Sequence, residues 1–67
     1  MQWFHVFNKP NDNGFHPIKN EKGETVAEAA STDDEQIRVT LEQTGVTGDF
    51  DYEFVYDDAL WEAVGKS

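Results

Sequence analysis

An alternating run near the C-terminus most constrains what this chain can fold into. Residues 48–58 read Gly-Asp-Phe-Asp-Tyr-Glu-Phe-Val-Tyr-Asp-Asp, so every second residue from Phe50 to Tyr56 is aromatic. The positions between them are carboxylates, apart from Val55. Because side chains on a strand point alternately to opposite faces, this run predicts a half-buried β-strand. One of its faces is aromatic and the other is acidic, and we expect the aromatic face, from Phe50 to Tyr56, to form the core against Ile37 and Leu41.

The length and composition of the chain indicate one small domain, which we predict to extend over residues 1–67. A chain of 67 residues buries only about 60% of the surface that its unfolded form exposes. The sequence contains no cysteine, so neither a disulfide nor a thiolate metal site can stabilise the fold. Stability must therefore come from the nine aromatic side chains and a modest set of aliphatic ones.

The charge of the chain is strongly negative and unevenly distributed. The net charge is −9, and residues 24–67 alone hold twelve acidic against two basic side chains, which gives −10. Nucleic acids and anionic membranes attract positive charge, so direct binding to either is disfavoured. A basic protein is the partner that this charge favours.

The first thirty residues predict strands and turns. Residues 3–8 are aromatic and β-branched on both faces, which indicates a central or covered strand. Turn-forming residues follow at 9–14. Residues 15–19 predict a short edge strand or an extended segment, because Pro17 argues against a central strand. Residues 24–30 are compatible with helix or strand, and their place between a glycine turn and a helix start favours strand.

Residues 31–46 predict the main helix. Thr32 and Glu35 are spaced as a capping box, in which the threonine hydroxyl accepts from the Glu35 amide and the glutamate reaches back. At the other end, Gly45 suits the left-handed position that closes a helix, and the residue after it would contact Leu41.

A strand is the competing interpretation of residues 36–43, because apolar and polar residues also alternate there. The agreement of the start and stop signals favours the helix. Residues 59–64 predict a short C-terminal helix, capped by Asp57 or Asp58. Together the elements predict an α+β domain with a three- to four-stranded sheet, one main α-helix packed on it and a short C-terminal helix.

The carboxylates are the candidate binding residues. In the alternating run, Asp49, Asp51, Glu53 and Asp57 would project from one strand face, with successive carboxylates along the strand about 6–7 Å apart, and Asp58 follows at its end. A second group lies at the predicted start of the main helix. The first group is Asp49, Asp51, Glu53, Asp57 and Asp58, and the second is Asp33, Asp34 and Glu35.

No motif in the sequence predicts catalysis, a cofactor or a metal site. The Asn-rich turn at 9–14 fails as a calcium loop, because Lys9 and Asn20 would occupy positions that require carboxylates. His5 and His16 have no cysteine or histidine partner at a ligand spacing, so we interpret them as packed or surface histidines. A nucleophile elbow and a glycine-rich phosphate loop are both absent from the sequence.

The sequence therefore predicts a non-enzymatic acidic protein-binding domain. In size, charge and aromatic content it resembles the small acidic inhibitors of bacteriophages and mobile elements, including nucleic-acid mimics. The resemblance implies an inhibitor that blocks a basic, nucleic-acid-binding protein. The alternative is a self-associating structural domain, such as a homodimer, whose acidic face is solvated. The lack of cysteine, of a secretory signal and of a spanning apolar run favours a cytoplasmic location.

Overall fold

A computed structural model describes residues 1–56 as a four-stranded mixed sheet with one main helix. The predicted α+β class is confirmed, and the predicted C-terminal helix lies outside the described residues. The sheet order is β3-β2-β1-β4, in which β1 runs parallel to β4 and the other neighbours are antiparallel. The elements are β1 (Gln2–Phe7), β2 (His16–Lys19), β3 (Thr25–Ala29), α1 (Asp34–Gln43) and β4 (Phe50–Val55).

The topology follows from two short hairpins and one crossover. β1, β2 and β3 are joined by the loops 8–15 and 20–24, and connections of this length suffice for antiparallel neighbours. The last strand instead pairs in parallel with the first, and parallel strands need a longer connection, usually a helix. That connection is α1, which crosses from β3 at one edge of the sheet to β4 at the other.

The core lies between α1 and one face of the sheet. Ile37 and Leu41, four residues apart on the helix, are fully buried. They pack with Phe4, Val6 and Ile18 from the two central strands. Full burial of an aliphatic side chain of this size contributes about 1.5–3 kcal/mol, so this single stripe is a large share of what holds a domain of this length together.

The end of α1 confirms the predicted glycine closure. The Val46 amide donates to the Leu41 carbonyl at 3.2 Å, and the Gly45 amide donates to the Glu42 carbonyl at 3.0 Å. Gly45 has a φ of 102°, a left-handed backbone conformation that is unfavourable for residues with a Cβ atom. These are the two hydrogen bonds of a Schellman ending, and Val46 packs against the core as that motif requires.

The start of α1 differs from the predicted capping box. The N-cap residue is Asp33, not Thr32, and no side chain caps the first amides. Ser31 Oγ instead accepts from the Asp33 amide at 3.3 Å, just before the helix. The prediction was wrong because Thr32 and Asp33 are adjacent and both residue types can serve as an N-cap, and the helix begins one residue later than the capping-box spacing indicates.

β2 is not the edge strand that Pro17 predicted, because it lies between β1 and β3. Its pairing with β1 covers only the residues opposite His5 and Val6, so the ladder stops before the proline. The Phe7 carbonyl, next in that register, accepts from His16 Nδ1 at 2.9 Å. An imidazole donor thus replaces the amide that proline lacks, which is how an internal strand accommodates Pro17.

The aromatic face of the alternating run packs as predicted over three of its four residues. Phe50, Tyr52 and Phe54 lie against the core, and the rings of the latter two meet edge to face at 5.6 Å. Tyr56 was also predicted to join the core, but it is 74% exposed. The strand ends at Val55, so the alternation no longer directs the side chain of the next residue.

Leu41→Ala tests the packing of the helix on the sheet. We expect it to lower the free energy of unfolding by about 2–5 kcal/mol, because it removes a fully buried side chain and leaves a cavity. Val39 lies on the same helix but is 38% exposed, so Val39→Ala should change the free energy of unfolding by about 0.5 kcal/mol or less. Urea denaturation followed by circular dichroism measures both.

The free energy lost in Leu41→Ala approaches the total stability of so small a domain. Ile37→Val therefore provides a milder version of the same test. It should cost about 0.5–1.5 kcal/mol and leave a measurable folded population. If Val39→Ala and Ile37→Val lowered the free energy of unfolding equally, the assignment of Ile37 and Leu41 to the buried face of the helix would be contradicted.

Candidate binding surface on the edge strand

β4 lies at the edge of the sheet, and only one side of its backbone pairs with β1. The Asp49 carbonyl accepts from the Gln2 amide at 3.1 Å, and the Val55 carbonyl accepts from the Asn8 amide at 3.0 Å. Backbone groups alternate in direction along a strand, so the odd-numbered residues of β4 bond to β1. The amides and carbonyls of Phe50, Tyr52 and Phe54 point to the outer edge.

The carboxylates of β4 lie on the sheet face away from the helix. Because Phe50, Tyr52 and Phe54 face the core, Asp51 and Glu53 face the other way. They are about 6.6 Å apart along the strand at the usual rise per residue. Asp49 precedes the strand at the same parity. The structure therefore brings Asp51 and Glu53 together and sets Asp49 immediately beside them.

Two residues of β1 accompany these carboxylates. In the parallel register Trp3 lies beside Asp51, and His5 lies beside Glu53. His5 Nδ1 is 3.3 Å from Glu53 Oε1, and the glutamate side chain remains 57% exposed. The acidic row thus lies next to an imidazole and an indole. The alternating sequence of β4 alone did not predict these two neighbours, because they depend on the register with β1.

Asp51 also contacts the outer edge of its own strand. Its Oδ1 accepts from the Tyr52 amide at 2.8 Å. That amide points away from β1, so the carboxylate satisfies a donor that the sheet leaves unpaired among residues 1–56. A side chain that bonds to a neighbouring amide in this way competes with strand pairing and protects the edge.

The second predicted group, at the start of α1, lies on the helix side of the sheet. Within it Asp34 binds Arg38, with Nε 3.1 and 3.2 Å from the two carboxylate oxygens. Asp34 Oδ1 also accepts from the Tyr52 hydroxyl at 2.5 Å. The Arg38 guanidinium lies 5.7 Å from the centroids of the Phe50 and Tyr52 rings. Asp34 is therefore part of a link between helix and edge strand.

Asp33 and Glu35 lie on either side of Asp34 in the sequence, and neither takes part in its hydrogen bonds to Arg38 and Tyr52. The two predicted groups lie on opposite sides of the sheet, so they do not form one continuous surface. Asp57 and Asp58 lie outside the described residues. Sequence reasoning missed Arg38, although its spacing of four residues from Asp34 is the signal of a helical ion pair.

The link between Asp34 and Tyr52 shifts the pKa of both groups. Burial, followed by the hydrogen bond to Asp34, raises the pKa of the Tyr52 phenol from 10.0 to about 12. The hydrogen bond from Tyr52, with Arg38 adding to it, lowers the pKa of Asp34 against a smaller opposing effect of burial. The neutral phenol and the ionised carboxylate are thus both favoured by folding.

The rest of the described surface offers little chemistry. An open cleft of about 360 Å³ is lined by Gln2, Phe4, Asn20, Glu21 and Lys22. Its lining includes Glu21 and Lys22 but no serine, threonine, cysteine or histidine. Among residues 1–56, no three acidic or histidine side chains converge as a metal site would require, and no helix is long and apolar enough to cross a membrane.

Comparisons with known proteins add no assignment. No protein-family model matches this chain, and no curated protein or solved structure shows significant similarity to it.

Titration of Tyr52 tests the link between helix and edge strand. In the Tyr56→Phe variant, Tyr52 is the only tyrosine, so the absorbance of the phenolate reports on it alone. We expect a midpoint near 12, and a lower midpoint when Asp34→Asn removes the negative acceptor.

The same shift has a consequence for stability. A raised phenol pKa stabilises the fold fully below pH about 10, and that contribution is lost as the pH rises toward 12. Circular dichroism in parallel shows whether the fold persists through the titration. An unchanged midpoint in Asp34→Asn would contradict the hydrogen bond.

Proposed function

We propose that this chain is a non-enzymatic, acidic protein-binding domain, which occupies the basic site of a nucleic-acid-binding protein and competes with its nucleic acid. The observation that carries the proposal is the row Asp49, Asp51 and Glu53, of which the last two lie on an edge strand and Asp49 directly precedes it. The row is fixed on a strand and accessible from the sheet edge. A cytoplasmic location is part of the proposal, since a chain without cysteine suits a reducing compartment.

The spacing and sign of the charges support this proposal. Carboxylates about 6.6 Å apart along a straight strand are roughly commensurate with the phosphates of a nucleic-acid strand. Complementary charge accelerates encounter with a basic groove and rejects acidic partners. The domain would thus present to its partner a rigid array of negative charge.

The lack of lysine and arginine on β4 itself also supports it. No lysine or arginine occurs between Arg38 and Lys66, and Arg38 already binds Asp34. Lys19 lies over the Phe7 ring at 5.1 Å, two strands away from β4. A surface that serves solubility alone usually mixes both signs. The unmixed row favours a surface selected for a basic partner.

A self-associating structural domain is the second candidate, and the edge position of β4 is the observation that favours it. An unpaired strand edge is a template for a second chain. Pairing two copies of β4, however, would bring the carboxylates of both close together, and like charges opposite each other destabilise a strand pair. The charge therefore favours a basic partner over a second copy.

Charge reversal tests the proposed function. Asp49→Lys with Glu53→Lys should abolish retention of basic proteins from a bacterial lysate on the immobilised domain. Proteins held by the unaltered domain should elute with high salt and with added double-stranded DNA, since screening and competition act on the same contacts. Mass spectrometry of the eluates identifies the retained proteins.

The matched control is Asp12→Lys with Glu42→Lys, which changes the net charge equally but lies away from β4. This control should retain the same proteins as the unaltered domain. Equal retention by both double variants would show that the strand face is not the site. Light scattering over a range of concentrations detects the self-associating alternative, which predicts a dimer that forms without any partner.

A further inference from the structure

We infer that the outer edge of β4 binds an extended basic segment as an added strand, with lysine or arginine at every second position. This inference rests on the proposed function and specifies how the basic partner is held. Backbone pairing supplies the attachment, and the carboxylates select the sequence that pairs. Recognition by strand addition divides affinity and specificity in this way.

The backbone of β4 is oriented for such a segment. Asp49 and Val55 bond to β1 through their carbonyls, which directs the amides and carbonyls of the intervening even-numbered residues outward. In residues 1–56 no strand pairs with that outer edge. Phe50, Tyr52 and Phe54 also pack against the core through their side chains, so packing fixes the position of the edge strand.

The charge on the edge decides which segment pairs. Side chains directly opposite each other in adjacent strands have Cβ atoms about 4.5–5.5 Å apart. A lysine or arginine opposite Asp51 or Glu53 is therefore within reach of an ion pair. The alternate positions of the segment would lie on the helix side, next to Tyr52 and Phe54, where apolar residues fit.

Asp51 links recognition of charge to opening of the edge. In the unbound domain its carboxylate accepts from the Tyr52 amide, and this occupies the central outward donor of the strand. A cationic side chain facing Asp51 draws the carboxylate away, and the Tyr52 amide then becomes available to a partner carbonyl. A neutral segment lacks this means of displacing the carboxylate, so the edge resists non-specific pairing.

The experiment uses a blocked synthetic peptide of alternating lysine and valine with the full isotopically labelled chain. Two further peptides carry backbone N-methyl groups, on the valines in one and on the lysines in the other. Both peptides keep the same side chains and charge. One lacks the amide donors of the valines, and the other lacks the amide donors of the lysines. Titrations followed by NMR measure the affinities and identify the residues whose amides shift.

Strand addition predicts that one N-methylated peptide loses about tenfold or more in affinity, because two or more ladder hydrogen bonds are lost. The other should bind as the unmodified peptide does. The shifts should centre on Phe50, Tyr52 and Phe54. Asp51→Asn should weaken binding of the unmodified peptide, and Asp12→Asn should not.

Equal affinities for the two N-methylated peptides would overturn strand addition. If proteins are still captured through Asp49 and Glu53 in that case, the acidic face acts by charge alone and the proposed function stands. No binding of the unmodified peptide at low salt would also overturn the inference. Lysate capture that persists unchanged after charge reversal at Asp49 and Glu53 would instead count against the proposed function.

Discussion

The parallel pairing of the last described strand with the first is the constraint on which the rest of the molecule depends. Parallel pairing requires a crossover, and α1 supplies it while burying Ile37 and Leu41 on the sheet. The crossover makes β1 a central strand and leaves β4 at the edge. The acidic row is at the periphery because of this topology, since β4 has a neighbouring strand on one side only among residues 1–56.

The edge strand is held from both sides by contacts that involve charge. On the helix side, Asp34 joins Arg38 to the Tyr52 hydroxyl. On the opposite side, Glu53 lies beside His5, and Asp51 bonds to an amide of its own strand. Carboxylates therefore do three things here: one fastens the helix to the strand, one satisfies the strand edge, and the row as a whole carries the negative field.

Local signals in the sequence predicted most of the fold, and long-range pairing accounts for what they missed. The alternation of residues 50–55, the helix and its glycine closure at Gly45 are encoded by neighbours in sequence, so pattern reasoning found them. The internal place of β2 depends on His16 supplying the donor that Pro17 lacks, which no propensity contains. The candidate row was likewise visible as alternation, whereas its neighbours Trp3 and His5 follow from the parallel register.

The most direct test of this account is amide hydrogen exchange along β4, measured residue by residue by NMR. The account predicts alternation: the amides of Asp51, Glu53 and Val55 bond to β1 and exchange slowly, whereas those of Phe50 and Phe54 face outward and exchange fast. Tyr52, whose amide donates to Asp51, should become faster in Asp51→Ala. Uniform slow exchange across residues 50–55 would contradict an open edge and, with it, the binding surface proposed for this strand.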